Sequence, residues 1–175
     1  MINNKAVFLD RDGIINKLVE RDGQSVSPRT FSDFKLKCGV ASFLNKIKSL
    51  GFLTIIITNQ PDIARKLMKK NELKKMHDLI KNQLAIDQIH ICPHDDSDEC
   101  LCRKPKPGML TKAAEKHRIN LINSFIVGDT WKDIEAGKRA NCKTILWQAS
   151  YNKDIDADFK VKSFREIIKI IQSNN

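Results

Sequence analysis

The sequence has no long apolar tract. Its hydrophobic runs are only a strand's worth, far short of the roughly 20 residues that cross a bilayer. No low-complexity segment, linker or internal repeat interrupts it, which excludes a membrane-spanning or array-like protein and leaves a soluble globular class without a membrane partner. One domain over residues 1–175 is expected. The start MINNKAVFLD has none of the basic, apolar and small-residue segments of an export signal, so the expected location is a reducing cytoplasm, where disulfides are not expected. Aromatics are scarce, at 6%, and none is interleaved with the lysines behind the net charge of +10. Base-stacking surfaces need such interleaving. The charge therefore reads first as solvated helix faces, with a phosphorylated small molecule or, less in keeping with the pattern, a nucleic acid as partner.

What is present is alternation. AVFLD (6–10), FLTIIITN (52–59), IDQIHIC (86–92), SFIVGD (124–129) and CKTILW (142–147) read as short strands buried on both faces. Between them, Val40, Phe43, Leu44, Ile47 and Leu50 recur at helical spacing and stop at Gly51. Leu73, Met76, Ile80 and Leu84 repeat the pattern, Pro107 opens a third helix, residues 132–141 make a fourth, and Phe164, Ile167, Ile168 and Ile171 line a fifth. The order predicts an α/β fold, an open parallel sheet sandwiched by helices. Residues 16–36 are the longest break in it, read either as a flap over the sheet's edge or as a disordered loop.

Ligands of doubly wound sheets bind beyond the carboxyl ends of the strands, and those ends carry the polar residues. The first strand runs into Asp10 and Asp12, the second into Thr58 and Asn59, the third into a cysteine-rich loop with Arg103 and Lys104, and the fourth into Asp129. Asp133, one helical turn on, either caps or pairs on its helix or joins the site. Carboxylates from two strands with a lysine and a hydroxyl between them suit Mg²⁺ and a phosphate together. Asp10 could then attack phosphorus and Asp12 carry protons, while Gly13 lets backbone N–H groups approach an oxygen and Thr58 and Lys104 offset the charge being transferred.

The segments DRDG (10–13), TN (58–59), RKPKPG (103–108) and VGD (127–129) together resemble the haloacid dehalogenase-like (HAD) phosphohydrolases. AVFLDRDGIIN, TNQ and the combination of CPH, CLC and RKPKPG are similar to their zinc-containing branch, which holds heptose bisphosphate phosphatases and histidinol phosphate phosphatases. The resemblance implies Asp10 as nucleophile, Asp12 as general acid/base, and Mg²⁺ held by the Asp10 and Asp129 carboxylates with the Asp12 carbonyl. It implies that Thr58 and Lys104 steady the phosphoryl group and that Arg11, Asn59, Gln60 and Arg103 contact substrate. It further implies a Rossmann-like fold without a large cap domain; separately, a monomer is expected. The expected reaction is removal of the 7-phosphate of D-glycero-D-manno-heptose 1,7-bisphosphate through an aspartyl phosphate. Histidinol phosphate is the alternative substrate, and a basic zinc-containing nucleic-acid-binding module the alternative of another class.

Within CPHDDSDECLCRKPKPG, residues 92–108, Cys92, His94, Cys100 and Cys102 supply four ligands of a closed structural Zn²⁺ site. Such a zinc would tie down the loop so that Arg103 and Lys104 point at the substrate. Asp95, Asp96, Asp98 and Glu99 read as a solvated tip, and Cys38 and Cys142 as small buried residues. One departure stands out: after TNQ the heptose enzymes commonly read SGIARG, whereas this chain has PDIARK, placing Pro61 and Asp62 beside the expected phosphate.

Overall fold

The computed structural model describes residues 4–174; the outermost residues of the expected domain, including the first three of the start weighed against an export signal, lie outside the described residues. Lys5–Leu9 (β1) is followed by Val19–Arg21 (β2) and Gln24–Val26 (β3), then Val40–Ser49 (α1), Phe52–Asn59 (β4), Lys70–Gln83 (α2) and Gln88–Cys92 (β5). Gly108–His117 (α3), Phe125–Gly128 (β6), Trp131–Arg139 (α4), Lys143–Trp147 (β7), Phe159–Val161 (β8) and Phe164–Ser173 (α5) complete the order.

Six strands form one sheet in the order β5-β4-β1-β6-β7-β8, every neighbouring pair parallel. Side chains of a strand alternate between faces, and here both faces are apolar. Val7, Leu9 and Ile56 meet α1, α2 and α5 through Phe43, Leu44, Ile47, Met76, Ile80, Ile167 and Ile171. Ala6, Phe8, Ile55 and Ile57 meet α3 and α4 through Met109, Leu110, Ala113, Ala136 and Ala140. The five strands and five helices expected from periodicity are thus present, with helices on both faces of the sheet.

Residues 16–36 are the flap of the two alternatives. β2 and β3 pair antiparallel around Asp22 and Gly23, whose φ values are 53° and 72°, the pair of positive dihedrals that a tight hairpin turn needs. The Asp-Gly dipeptide was the local signal for this. β8, like β2 and β3, is a strand that periodicity does not reach, since three residues are too few to show a repeat. Cys142 is buried as expected, but Cys38 is exposed, lying in the turn before α1 where no apolar face needs it. Among the described residues no helix is long and apolar enough to cross a membrane.

Candidate active site

At the carboxyl ends of β1, β4 and β6 the chain leaves the sheet through Asp10, Thr58–Asn59 and Asp129. Lys104 reaches this point from the loop after β5, and its buried Nζ donates to Asp10 Oδ1 at 2.8 Å, to the Ile57 carbonyl at 3.0 Å and to Asp133 Oδ1 at 2.5 Å. Burial works against the ammonium, but Asp10 and Asp133 outweigh it and raise the pKa, so Lys104 stays charged. The backbone of Lys104 is fixed as well, because Asn59 and the Lys104 peptide exchange hydrogen bonds of 3.0 and 3.1 Å.

Asp133 does both things the sequence left open. Its Oδ2 accepts from the N–H and hydroxyl of Thr130 at 3.0 and 2.6 Å, capping α4, while Oδ1 faces Lys104. Gly128 makes the room: a Cβ there would lie 2.2 Å from that of Asp133.

Carboxylate oxygens of Asp10, Asp129 and Asp133 lie within 4.8 Å of one another. Burial pushes the Asp10 carboxyl well above the carboxylate range; Lys104 opposes this, and Asp133, Asp129 and Asp12 reinforce it. Asp129 is pushed up to about 6, by burial and then by Asp133. The Tyr151 hydroxyl donates to Asp129 Oδ2, and Asn152 Nδ2 donates to the Asp129 carbonyl at 2.8 Å. Asp129 Oδ1 is buried and has no hydrogen-bond partner among the described residues. An orphaned carboxylate oxygen beside two more acids fits a small hard cation such as Mg²⁺. Gly13 closes the cradle at φ +87°, where a Cβ would stand 2.2 Å from Asp129 Oδ2.

Asp12 is held differently. Arg11 grips its carboxylate from Nε and Nη2 at 2.8–3.1 Å, Asn16 donates at 2.9 Å and Gln60 at 2.8 Å. Burial alone would raise its pKa, but these partners, Arg11 foremost, bring it below the ordinary value. Arg11 itself corrects an expectation. Its side chain is 0% exposed, lies 3.2 Å from His77 Nε2 and sits over the Phe34 ring, and it does not line the cleft. A buried guanidinium goes where its charge is compensated, and that place is under Asp12. His77 stays neutral beside it, held down to about 4 by burial and then by the Arg11 charge.

A cleft of about 440 Å³ opens above these groups, with Asp10, Asp12, Asn59, Gln60, Arg103, Lys104 and Asp129 in its wall and Ser27 and Arg29 contributed by the segment after β3. Thr58 is fully buried, and its hydroxyl accepts from Gln60 Nε2 at 2.8 Å. The structure thus brings every expected site residue around β1, β4 and β6 together except the Arg11 side chain, with Thr58 just beneath the surface.

Cys92, His94, Cys100 and Cys102 converge beside the cleft. Sγ–Sγ separations of 3.6 and 3.5 Å and Sγ–Nδ1 separations of 3.6 and 3.3 Å approach the edges of about 3.6–3.8 Å in a tetrahedron with Zn–S near 2.3 Å. The donor set and its spacing fit Zn²⁺. The acids between the ligand pairs form the exposed tip expected, with Asp96, Asp98 and Glu99 open to solvent, but two of them are also paired. Asp95 takes Nε and Nη2 of Arg65 at 2.7 and 2.6 Å, Asp96 takes Nε and Nη2 of Arg103 at 2.7 and 3.1 Å, and Asp95 and Asp98 form a capping box. Arg103 also donates to the His94 carbonyl at 3.1 Å. Tyr151 and Asn152 carry no sequence signal of their place, since single polar residues outside any motif do not show where they fold; Asn16 ends the AVFLDRDGIIN segment, yet that segment alone does not reveal its bond to Asp12.

A family model described as HAD-hydrolase-like matches residues 101–162. The D-glycero-beta-D-manno-heptose-1,7-bisphosphate 7-phosphatase of Helicobacter pylori (strain ATCC 700392 / 26695) is 35% identical, over 98% of this chain and 100% of its own. The D-glycero-alpha-D-manno-heptose-1,7-bisphosphate 7-phosphatase of Campylobacter jejuni is 32% identical, over 99% of each. Among solved structures, the D,D-heptose 1,7-bisphosphate phosphatase from B. bronchiseptica complexed with magnesium and phosphate superposes with a TM-score of 0.83 over 98% of this chain and 99% of that one, at 23% identity, a likeness of fold. The chain belongs to the HAD-like hydrolase family. Its relatives there are these bacterial heptose bisphosphate phosphatases.

Proposed function

We propose that the protein is a phosphatase that removes the 7-phosphate of D-glycero-D-manno-heptose 1,7-bisphosphate. The observation that carries the chemistry is the charge arrangement at Asp10. Its Oδ1 accepts from Lys104 Nζ and from the Arg11 N–H, both at 2.8 Å, while Oδ2 has no such bond among the described residues and is left to attack phosphorus. Lys104 favours the ionised carboxylate and offsets charge on the transferring group. Held by the Asp10 and Asp129 carboxylates and the Asp12 carbonyl, with Asp133 close by, Mg²⁺ would relieve the repulsion among the acids and polarise the phosphoryl oxygens.

Asp12 is the acid/base. Arg11, Asn16 and Gln60 hold it ionised in this arrangement, the form that takes a proton from the water that hydrolyses the aspartyl phosphate. Donating to the leaving alkoxide requires it to turn from Arg11 into the cleft, where loss of those partners raises its proton affinity. Cys92, His94, Cys100 and Cys102 hold one structural Zn²⁺, with thiolates that a reducing cytoplasm preserves. Asn59, Gln60 and Arg103 border the substrate, and Thr58 orders Gln60 from beneath.

The names of the relatives favour heptose over histidinol phosphate and cover both anomers. Phosphate release from both anomers of the bisphosphate and from histidinol phosphate, each with Mg²⁺, is the test; a heptose bisphosphate should give the largest kcat/KM. Asp10→Asn should lower kcat by at least about a thousandfold with its circular dichroism unchanged. Near-normal turnover in that variant rejects Asp10 as nucleophile.

A further inference from the structure

The phosphate chemistry makes no use of the ion pair between Asp62 and Arg29 in the cleft wall. Arg29 Nε donates to Asp62 Oδ2 at 2.6 Å, joining residues 33 apart in sequence. Arg29 belongs to the segment that follows β3, and Asp62 to the turn that leaves β4. Both line the cleft that holds Asp10 and Lys104.

Three features distinguish this pair from an ordinary surface contact. Asp62 is rigidly seated, since its carbonyl accepts from the N–H groups of Leu67 and Met68 at 2.8 and 2.9 Å, and its side chain is only 15% exposed. Its carboxylate is not needed to hold the other nearby guanidinium. Arg65 Nη1 is 3.8 Å away, and that side chain is already gripped by Asp95 through two bonds of 2.6–2.7 Å. Finally, Asp62 engages Arg29 through Nε, and the two terminal nitrogens of Arg29 make no hydrogen bond among the described residues. A guanidinium oriented by an acid at Nε, with its terminal donors left over, is prepared to bind an acceptor oxygen at little further ordering cost.

We infer that Asp62 is a positioning residue that presents Arg29 to an acceptor oxygen on the part of the substrate remote from the reacting phosphate. The pair then governs which phosphomonoester is chosen and leaves the bond-breaking step to Asp10. This rests on the phosphatase reading and adds to it a determinant of specificity.

The test compares wild type, Asp62→Asn, Arg29→Gln and the double variant on three substrates with Mg²⁺: heptose 1,7-bisphosphate, heptose 7-phosphate, and para-nitrophenyl phosphate, which has no oxygen-rich remainder. Each single variant should raise KM for the bisphosphate about tenfold, the scale of one lost charge-assisted hydrogen bond, with kcat within about twofold. The double variant should lose no more than Arg29→Gln alone. The aryl phosphate should respond by less than about twofold. A loss shared by both heptose substrates assigns Arg29 to a sugar hydroxyl, and a loss confined to the bisphosphate assigns it to the second phosphate. Equal losses on all three substrates, additive losses in the double variant, or no loss at all overturn the inference. A wild-type protein that hydrolyses none of the three overturns the phosphatase reading instead.

Discussion

Gly13 measures how tightly the residues of this site are fitted. Its φ of +87° lies where side chains are rarely found, and a Cβ would stand 2.2 Å from a carboxylate oxygen of Asp129. Gly13→Ala therefore either shifts Asp129 or strains the turn after β1. We expect at least about a hundredfold loss of kcat/KM together with a destabilisation of about 1–3 kcal/mol, read from phosphate release and urea denaturation. Wild-type values in both would contradict the fit. At this scale the sequence reveals residues whose position follows from a strand end, namely Asp10, Asp12, Thr58 and Asp129. It does not show which way a side chain turns. Arg11 has a motif position beside Asp10 yet runs beneath Asp12, because there the buried carboxylate and the buried guanidinium compensate each other.

Among the elements, the loop from Cys92 to Lys104 carries the most function for its length. Cys92, His94, Cys100 and Cys102, its candidate metal ligands, gather on it while Arg103 and Lys104 line the cleft, and Asp95 ties it to Arg65 outside while Asp96 pairs with Arg103 within it. The acids of these pairs are open to solvent, which screens the attraction and leaves it a small part of what holds the loop, so the metal should dominate. Metal analysis should find about one zinc per chain. Removing it with a chelator, or Cys100→Ser, should speed hydrogen exchange across residues 92–104 and lower kcat/KM more than about tenfold while the sheet persists. Full activity in zinc-free protein would refute the clamp. The ligand spacing made this loop legible. The partners of its acids were not, since Arg65 lies 30 residues away in sequence from Asp95.

For the whole molecule, the crowding of Asp10, Asp129 and Asp133 ties stability to pH and to cation. The Asp129 carboxyl has an ordinary value of 3.8 and stands at about 6 in the fold. A raised folded value means that its contribution to stability is complete below about 4 and is lost as pH rises through about 6. A divalent cation bound to the ionised carboxylates reverses that loss and competes with protons below it. Mg²⁺ should therefore raise the melting temperature clearly at about pH 7.5 and much less at about pH 5, measured by calorimetry. An equal shift at both values would place the cation elsewhere. Asp129→Asn should remove most of the Mg²⁺ effect in the same experiment.

The order of strands and helices, the buried character of the sheet, the strand-end carboxylates and the metal-ligand spacing were all determined by the sequence alone, because each is a local pattern of apolar period or residue type. The tertiary structure decided that Asp133 joins Lys104, that Tyr151 and Asn152 brace Asp129, that Arg11 turns inward, and that Asp62 reaches Arg29 across the cleft. These are contacts between segments distant in the chain, set by how charges find compensation once the sheet has closed, and no local period encodes them.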